Sequence, residues 1–112
     1  DQRVEDFSRT HKGSYDAVVA RAVAPLPTLV EYAAPLLTKE GVFIASKGNP
    51  SEEECAAGTA AANLCGLDLI KNDEVFLPRD MGHRCIFVYQ KKHKARVILP
   101  RQTGKAKNAP LA

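Results

Sequence analysis

The chain has 112 residues, 45% of them apolar and 26% charged. That composition supports one folded domain with its own core and excludes a charge-rich disordered chain. No apolar run approaches the roughly 20 residues that span a bilayer, so a soluble protein is expected. The net charge of +3 conceals an asymmetry: residues 1–90 carry 9 of the 16 Lys and Arg and all 13 Asp and Glu, whereas residues 91–112 carry seven basic residues and no acid. The expected organisation is a folded body over residues 1–92 and a basic tail over residues 93–112. A cationic tail suits a polyanion, because each Lys or Arg that neutralises a phosphate releases counterions; a tail that is simply solvated fits the charge equally well.

Cys55, Cys65 and Cys85 are odd in number and contain no CxxC. They are expected to be reduced thiols of a cytoplasmic protein without a signal peptide, buried as small hydrophobes rather than catalytic or metal-binding. The chain begins without Met and is expected to be a fragment of a longer protein.

In chain order, Tyr15 to Ala22 is a short Val-rich run without polar alternation, the pattern of a parallel strand covered on both faces. Pro25 and Pro27 open a helix whose apolar stripe is Leu26, Leu29, Val30, Ala33, Leu36 and Leu37. Pro35 is expected to kink or restart it, and Gly41 to end it. Gly41 to Lys47 reads as a second buried strand. Ser51 and Glu54 have capping-box spacing and open an Ala-rich helix that runs to about Cys65, weakened by Gly58 and ended by Gly66. Leu67 to Leu77 reads as a strand interrupted near Asn72-Asp73, Pro78 to His83 as a loop, and Arg84 to Gln90 as the last strand.

The order strand, helix, strand, helix, strand, strand predicts an α/β fold: parallel strands with helices, closed by an antiparallel strand pair. One sheet edge is left open, which invites pairing with a further strand or a second copy of the chain.

Four segments are similar in order and spacing to the GidB/RsmG family of SAM-dependent methyltransferases. They are Arg3 to Phe7, Tyr15 to Ala24 with its Ala-Arg-Ala-Val-Ala run, Gly41 to Gly48, and His83 to Val88. The basic ending is echoed in Pro100-Arg101, Gly104-Lys105 and Pro110-Leu111. The likeness covers nearly the whole chain but only the C-terminal half of the family's length. It implies the C-terminal half of a Rossmann-like methyltransferase fold and SAM as cofactor. It also implies methylation of guanine N7 in 16S rRNA, with the small ribosomal subunit as partner. The glycine-rich loop that wraps the methionine part of SAM in this family is missing, so this chain alone is expected to be inactive.

The resemblance places Val4 and Glu5 beside the adenine of SAM. Arg21 falls at the carboxyl end of a buried strand, where a charge needs a partner and where open α/β sheets bind ligands. Its guanidinium suits the SAM carboxylate or an RNA phosphate, or else a structural salt bridge to Asp16 or Glu31. Lys47, at the end of the next strand before Gly48, and Arg84, at the start of the last, are expected on the RNA side. Arg101, Lys105 and Lys107 are expected to touch phosphates from the tail. His11, His83 and His93 lack metal-ligand spacing and are read as surface residues; Asp68, Asp73, Glu74 and Asp80 are read as solvated. No metal is expected. Guanine N7 already carries a lone pair and no proton, so placement, rather than a general base, is what methyl transfer requires. A non-catalytic RNA- or ribosome-binding module is the alternative that this pattern leaves open.

Overall fold

The computed structural model describes residues 9–21, 24–76, 82–97, 99, 101, 107 and 111. Its elements are β1 (Tyr15–Arg21), α1 (Leu26–Ala33), β2 (Leu37–Lys47), α2 (Glu52–Leu64), β3 (Leu67–Phe76) and β4 (His83–Lys91). They form one sheet of order β1-β2-β4-β3. The β1/β2 pair is parallel, while β4 runs antiparallel to both β2 and β3. The carboxyl ends of β1 and β2 and the start of β4 therefore share one end of the sheet, and Tyr15, Leu37 and Lys91 mark the other. This is the expected α/β arrangement with an antiparallel closing pair.

The core lies on the helix-covered face. Phe43, Ala45, Phe87 and Tyr89 alternate inward from β2 and β4 and meet Leu26, Val30, Ala33, Ala61 and Ala62 from the two helices. The Phe43 and Phe87 rings stack on Tyr89 at centroid distances of 6.0 and 6.4 Å. Gly58 sits where α2 approaches α1 most closely. A Cβ there would lie 2.9 Å from Leu26 Cβ and 3.1 Å from Tyr89 Oη. This glycine is a packing requirement rather than a weak spot in the helix. The Tyr89 hydroxyl is buried without a hydrogen-bond partner, and that burial holds its pKa far above the usual phenol value.

Three local expectations are corrected. The apolar run Tyr15–Arg21 is not covered on both faces: its residues are mostly exposed, and Val19 is 71% exposed. β1 is an edge strand here, with β2 as its one neighbour among the described residues. The second strand begins at Leu37, not Gly41. Pro35 lies in a 3-10 turn over Ala34–Leu36, after which the backbone extends again. Tyr15 pairs with Leu37 and Ala17 with Val42, so the extra β2 residues bulge, with Glu40 at φ 69°. Gly41 is needed inside that bulge, where a Cβ would lie 2.8 Å from the Thr38 carbonyl oxygen. The irregularity in β3 falls between Leu69 and Lys71 rather than at Asn72-Asp73.

Gly66 ends α2 at φ 86° as anticipated. It carries a second duty, because a Cβ at this position would lie 2.2 Å from the His93 carbonyl oxygen. The Gly66 carbonyl accepts from Lys92 and His93 N–H at 3.0 and 3.2 Å, and Arg96 N–H donates to Leu64 at 2.8 Å. The start of the basic segment is thereby folded back along the body, and Leu99 and Leu111 pack against the core.

Candidate functional site

The carboxyl end of β2 is held by one ionic network. Lys47 is 8% exposed, and its Nζ lies 2.7 Å from Glu54 Oε2 while donating to the Ala24 carbonyl at 2.9 Å. The same Glu54 oxygen accepts from the Leu26 backbone N–H at 3.1 Å. Leu26 is the first residue of α1, so its N–H has no partner within the helix, and Pro25 before it offers no side-chain cap. The capping box of α2 is thus half formed. Ser51 Oγ accepts from Glu54 N–H at 3.0 Å, but the Glu54 carboxylate caps α1 rather than its own helix. The pull of the Lys47 charge explains the diversion: one carboxylate satisfies a cation and an orphan amide together.

Arg84 reaches across the outer face to β2. Its Nε donates to Ser46 Oγ at 3.1 Å and its Nη2 to the Ser46 carbonyl at 2.8 Å. A Cβ on Gly48 would meet Arg84 Nη1 at 3.0 Å, so the glycine keeps open the path along which this guanidinium lies. Both cations expected on the RNA side are therefore committed to protein acceptors.

Arg21 differs. It is the last residue of β1, pairs in register with Ser46, and is exposed. Neither of its expected partners is engaged with it. Asp16 Oδ1 accepts from Thr38 Oγ1 at 2.9 Å. Glu31, 2% exposed, binds Arg101 instead, with Oε2–Nε at 2.5 Å and Oε1–Nη2 at 2.6 Å. Among the described residues nothing pairs with Arg21. The Arg101 fork, expected to face phosphate, closes a two-pronged salt bridge onto the body, and its carbonyl accepts from Arg9 Nη2 at 2.9 Å. Lys107 is exposed. Val4, Glu5, Lys105 and, of the loop expected from Pro78 to His83, residues 78–81 lie outside the described residues.

The thiols are all free, with Cys65 buried and Cys55 and Cys85 half-buried. Burial, reinforced by the Glu31 charge, raises the Cys65 pKa to about 12. Burial, and then the nearby Cys85, raises that of Cys55. Strand pairing also gathers Glu74, His83 and Cys85, whose ligand atoms lie within 4.8 Å of one another. Glu74 faces Cys85 across the β3/β4 ladder, a juxtaposition that residue spacing could not reveal. Asp68 and His93, read as solvated and surface residues, meet at 3.2 Å.

The described residues thus form a mixed sheet of order β1-β2-β4-β3 with two helices packed on one face and an exposed Arg at the carboxyl end of its parallel edge strand. Solved structures share this fold. The chain superposes on M1.HpyAVI in its complex with SAM at a TM-score of 0.60 and 15% identity, covering 90% of this chain and 56% of that one. It superposes on the Burkholderia thailandensis 1,6-didemethyltoxoflavin-N1-methyltransferase with bound S-adenosylhomocysteine at 0.54 and 13%, covering 73% and 46%. Residues 1–76 match the GidB family, described as rRNA small subunit methyltransferase G. Ribosomal RNA small subunit methyltransferase G from Deinococcus radiodurans is 46% identical over 104 residues, 93% of this chain and 41% of that protein. Its namesake from Desulfitobacterium hafniense is 38% identical over 112 residues, 97% and 46%. The chain belongs to the GidB family, and it spans less than half the length of these relatives. No helix among the described residues is long and apolar enough to cross a membrane.

Proposed function

We propose that this chain is the C-terminal part of a SAM-dependent enzyme that methylates guanine N7 in 16S rRNA. The observation that carries the reading is Arg21: an exposed guanidinium without a described partner, at the carboxyl end of a parallel strand, in a chain of this family. Ligands of open α/β sheets bind outside those strand ends. Arg21 is placed to take the carboxylate of the cofactor or a phosphate beside the target base. Lys47 and Arg84 act one step back, fixing the strand ends and the start of α1 so that the rim keeps its shape. Val4 and Glu5 are assigned to the adenine. SAM, held by Arg21, Val4 and Glu5, would supply an electrophilic methyl group for the N7 lone pair. No proton moves, so the protein's contribution is alignment and charge.

The test is calorimetric titration of SAM into this chain and into a form extended N-terminally through the glycine-rich loop. The extended form is expected to bind and the 112-residue chain not to. Arg21→Ala is expected to weaken the extended form by about tenfold, the loss of one charge-assisted pair. If neither form binds, the cofactor assignment fails and a non-catalytic RNA-binding module becomes the better account.

A further inference from the structure

Among the described residues, three exposed lysines without a described partner gather at the opposite end of the sheet. Where β4 finishes and the β2 bulge begins, a cleft of about 370 Å³ is lined by Lys39, Lys91, Lys92, His93 and Lys94, with no acid among them. An adjoining hollow of about 240 Å³ shares Lys91 and Lys94 and adds Lys12. Three of the lining residues have partners, His93 meeting Asp68 at 3.2 Å. Lys91 Nζ donates to the Ala34 and Leu37 carbonyls at 3.1 and 2.8 Å, and Lys92 lies 3.4 Å from Glu40 Oε2. Lys39, Lys94 and Lys12 are exposed and have no partner among the described residues.

Like charges gathered in one concavity repel unless a counter-ion is supplied, and a cationic cleft concentrates anions along its walls. The charged side chains lining both hollows are all basic, while Ala34, Pro35, Ala95 and Leu99 add apolar wall to the second. A chain of phosphates fits it better than a single small anion, because the free lysines are spread over two adjoining hollows rather than converging on one point. Within β4, the seven residue steps from Arg84 to Lys91 put this cleft roughly 23 Å from Arg84, too far for one nucleotide to touch both ends.

We propose that the Lys39–Lys94 cleft is a second RNA-binding surface, which grips the phosphate backbone of a segment distant from the methylated base. This rests on the reading of the protein as an rRNA methyltransferase. It makes the amino end of the sheet a sequence-independent anchor and leaves base selection to the carboxyl end.

The experiment is fluorescence-anisotropy titration of a labelled oligouridylate with the 112-residue chain, comparing the wild type with the double variant Lys39→Ala, Lys94→Ala between about 50 and 200 mM salt. Both residues are exposed, so the variant is expected to melt with the wild type. Its plot of log affinity against log salt is expected to be shallower by about 1.4, two phosphate contacts of about 0.7 each for a single strand. An unchanged slope overturns the proposal, as does a wild type with no RNA affinity at the lowest salt. Polyglutamate bound as tightly as the RNA, and released by the same variant, would reassign the cleft to an acidic protein. In the extended form, SAM affinity is expected to be the same in wild type and double variant; a parallel loss would mean that the lysines act through the fold. Failure of SAM binding in the wild type instead strikes the methyltransferase reading and leaves the salt slopes to judge the cleft.

Discussion

The two ends of this sheet use their cations in different ways. At the carboxyl end, Lys47 and Arg84 are bonded to Glu54, the Ala24 carbonyl and Ser46, and Arg21 is exposed without a described partner. At the amino end, Lys91 is bonded to carbonyls and Lys92 to Glu40, while Lys12, Lys39 and Lys94 are exposed and have no partner among the described residues. The difference fits the roles proposed for the two ends. A rim that aligns a reacting group needs fixed side chains, and fixed cations need acceptors within the protein. A backbone grip tolerates mobile lysines, since phosphate contacts carry little geometric demand. A cation's place along a strand therefore says little about its role until its acceptor is known.

The comparison can be broken most forcefully at Arg101, the tail residue that behaves like a carboxyl-end cation. Arg101→Ala leaves the Glu31 carboxylate, 2% exposed, without its fork. The expected loss is about 3–5 kcal/mol in urea unfolding, the range for breaking a buried ion pair from one side. A loss below about 1 kcal/mol would return Arg101 to the pool of RNA-facing residues.

Lys47→Ala comes next. It strips Glu54 of its cation while the Leu26 amide remains, and Glu54 keeps some solvent, so roughly 2–3 kcal/mol is expected, short of the fully buried case. Lys39→Ala and Lys94→Ala, measured alongside, are expected within about 0.5 kcal/mol of wild type, as for ordinary surface changes. Equal effects at the two ends would erase the distinction.

The smallest effect per step is alkaline. The folded-state pKa of Cys65, about 12, lies above its ordinary value of 9.0. The unfolded chain therefore loses that proton first. The stabilisation is complete below about pH 9 and is lost as pH rises toward 12, at about 1.4 kcal/mol per pH unit from this group. Unfolding free energies of wild type and Cys65→Ala across that window are expected to converge by this slope. Parallel curves would show that the thiol is not the group responsible.

Much of the fold was legible in local pattern. The Val-rich run at Tyr15, the Pro-opened helix, the Ser51 cap and the Gly66 stop each depend on neighbours within a few residues, and each is where periodicity and turn chemistry put it. Arg21 at a strand end was equally readable, because an apolar run followed by a charge marks that boundary, although the burial expected of the run did not hold. The errors fell where a distant partner decided. Gly41 looked like a stop because Gly usually is one, but close approach to Thr38 inside a bulge sets its place. Gly58 looked like a flaw because its contacts, Leu26 and Tyr89, lie 32 and 31 residues away.

What the sequence determined by itself was the set of elements, the asymmetric charge and a family likeness, all of which need only residue types and short spacings. The tertiary structure alone decided the pairing of charges. Glu31 meets Arg101 rather than Arg21, Glu54 caps the other helix, and Lys39 joins Lys94 across a bulge and a strand end. Ion pairs and clefts are set by three-dimensional distance and burial, and two residues 70 positions apart carry no mark in the sequence of the contact they will make.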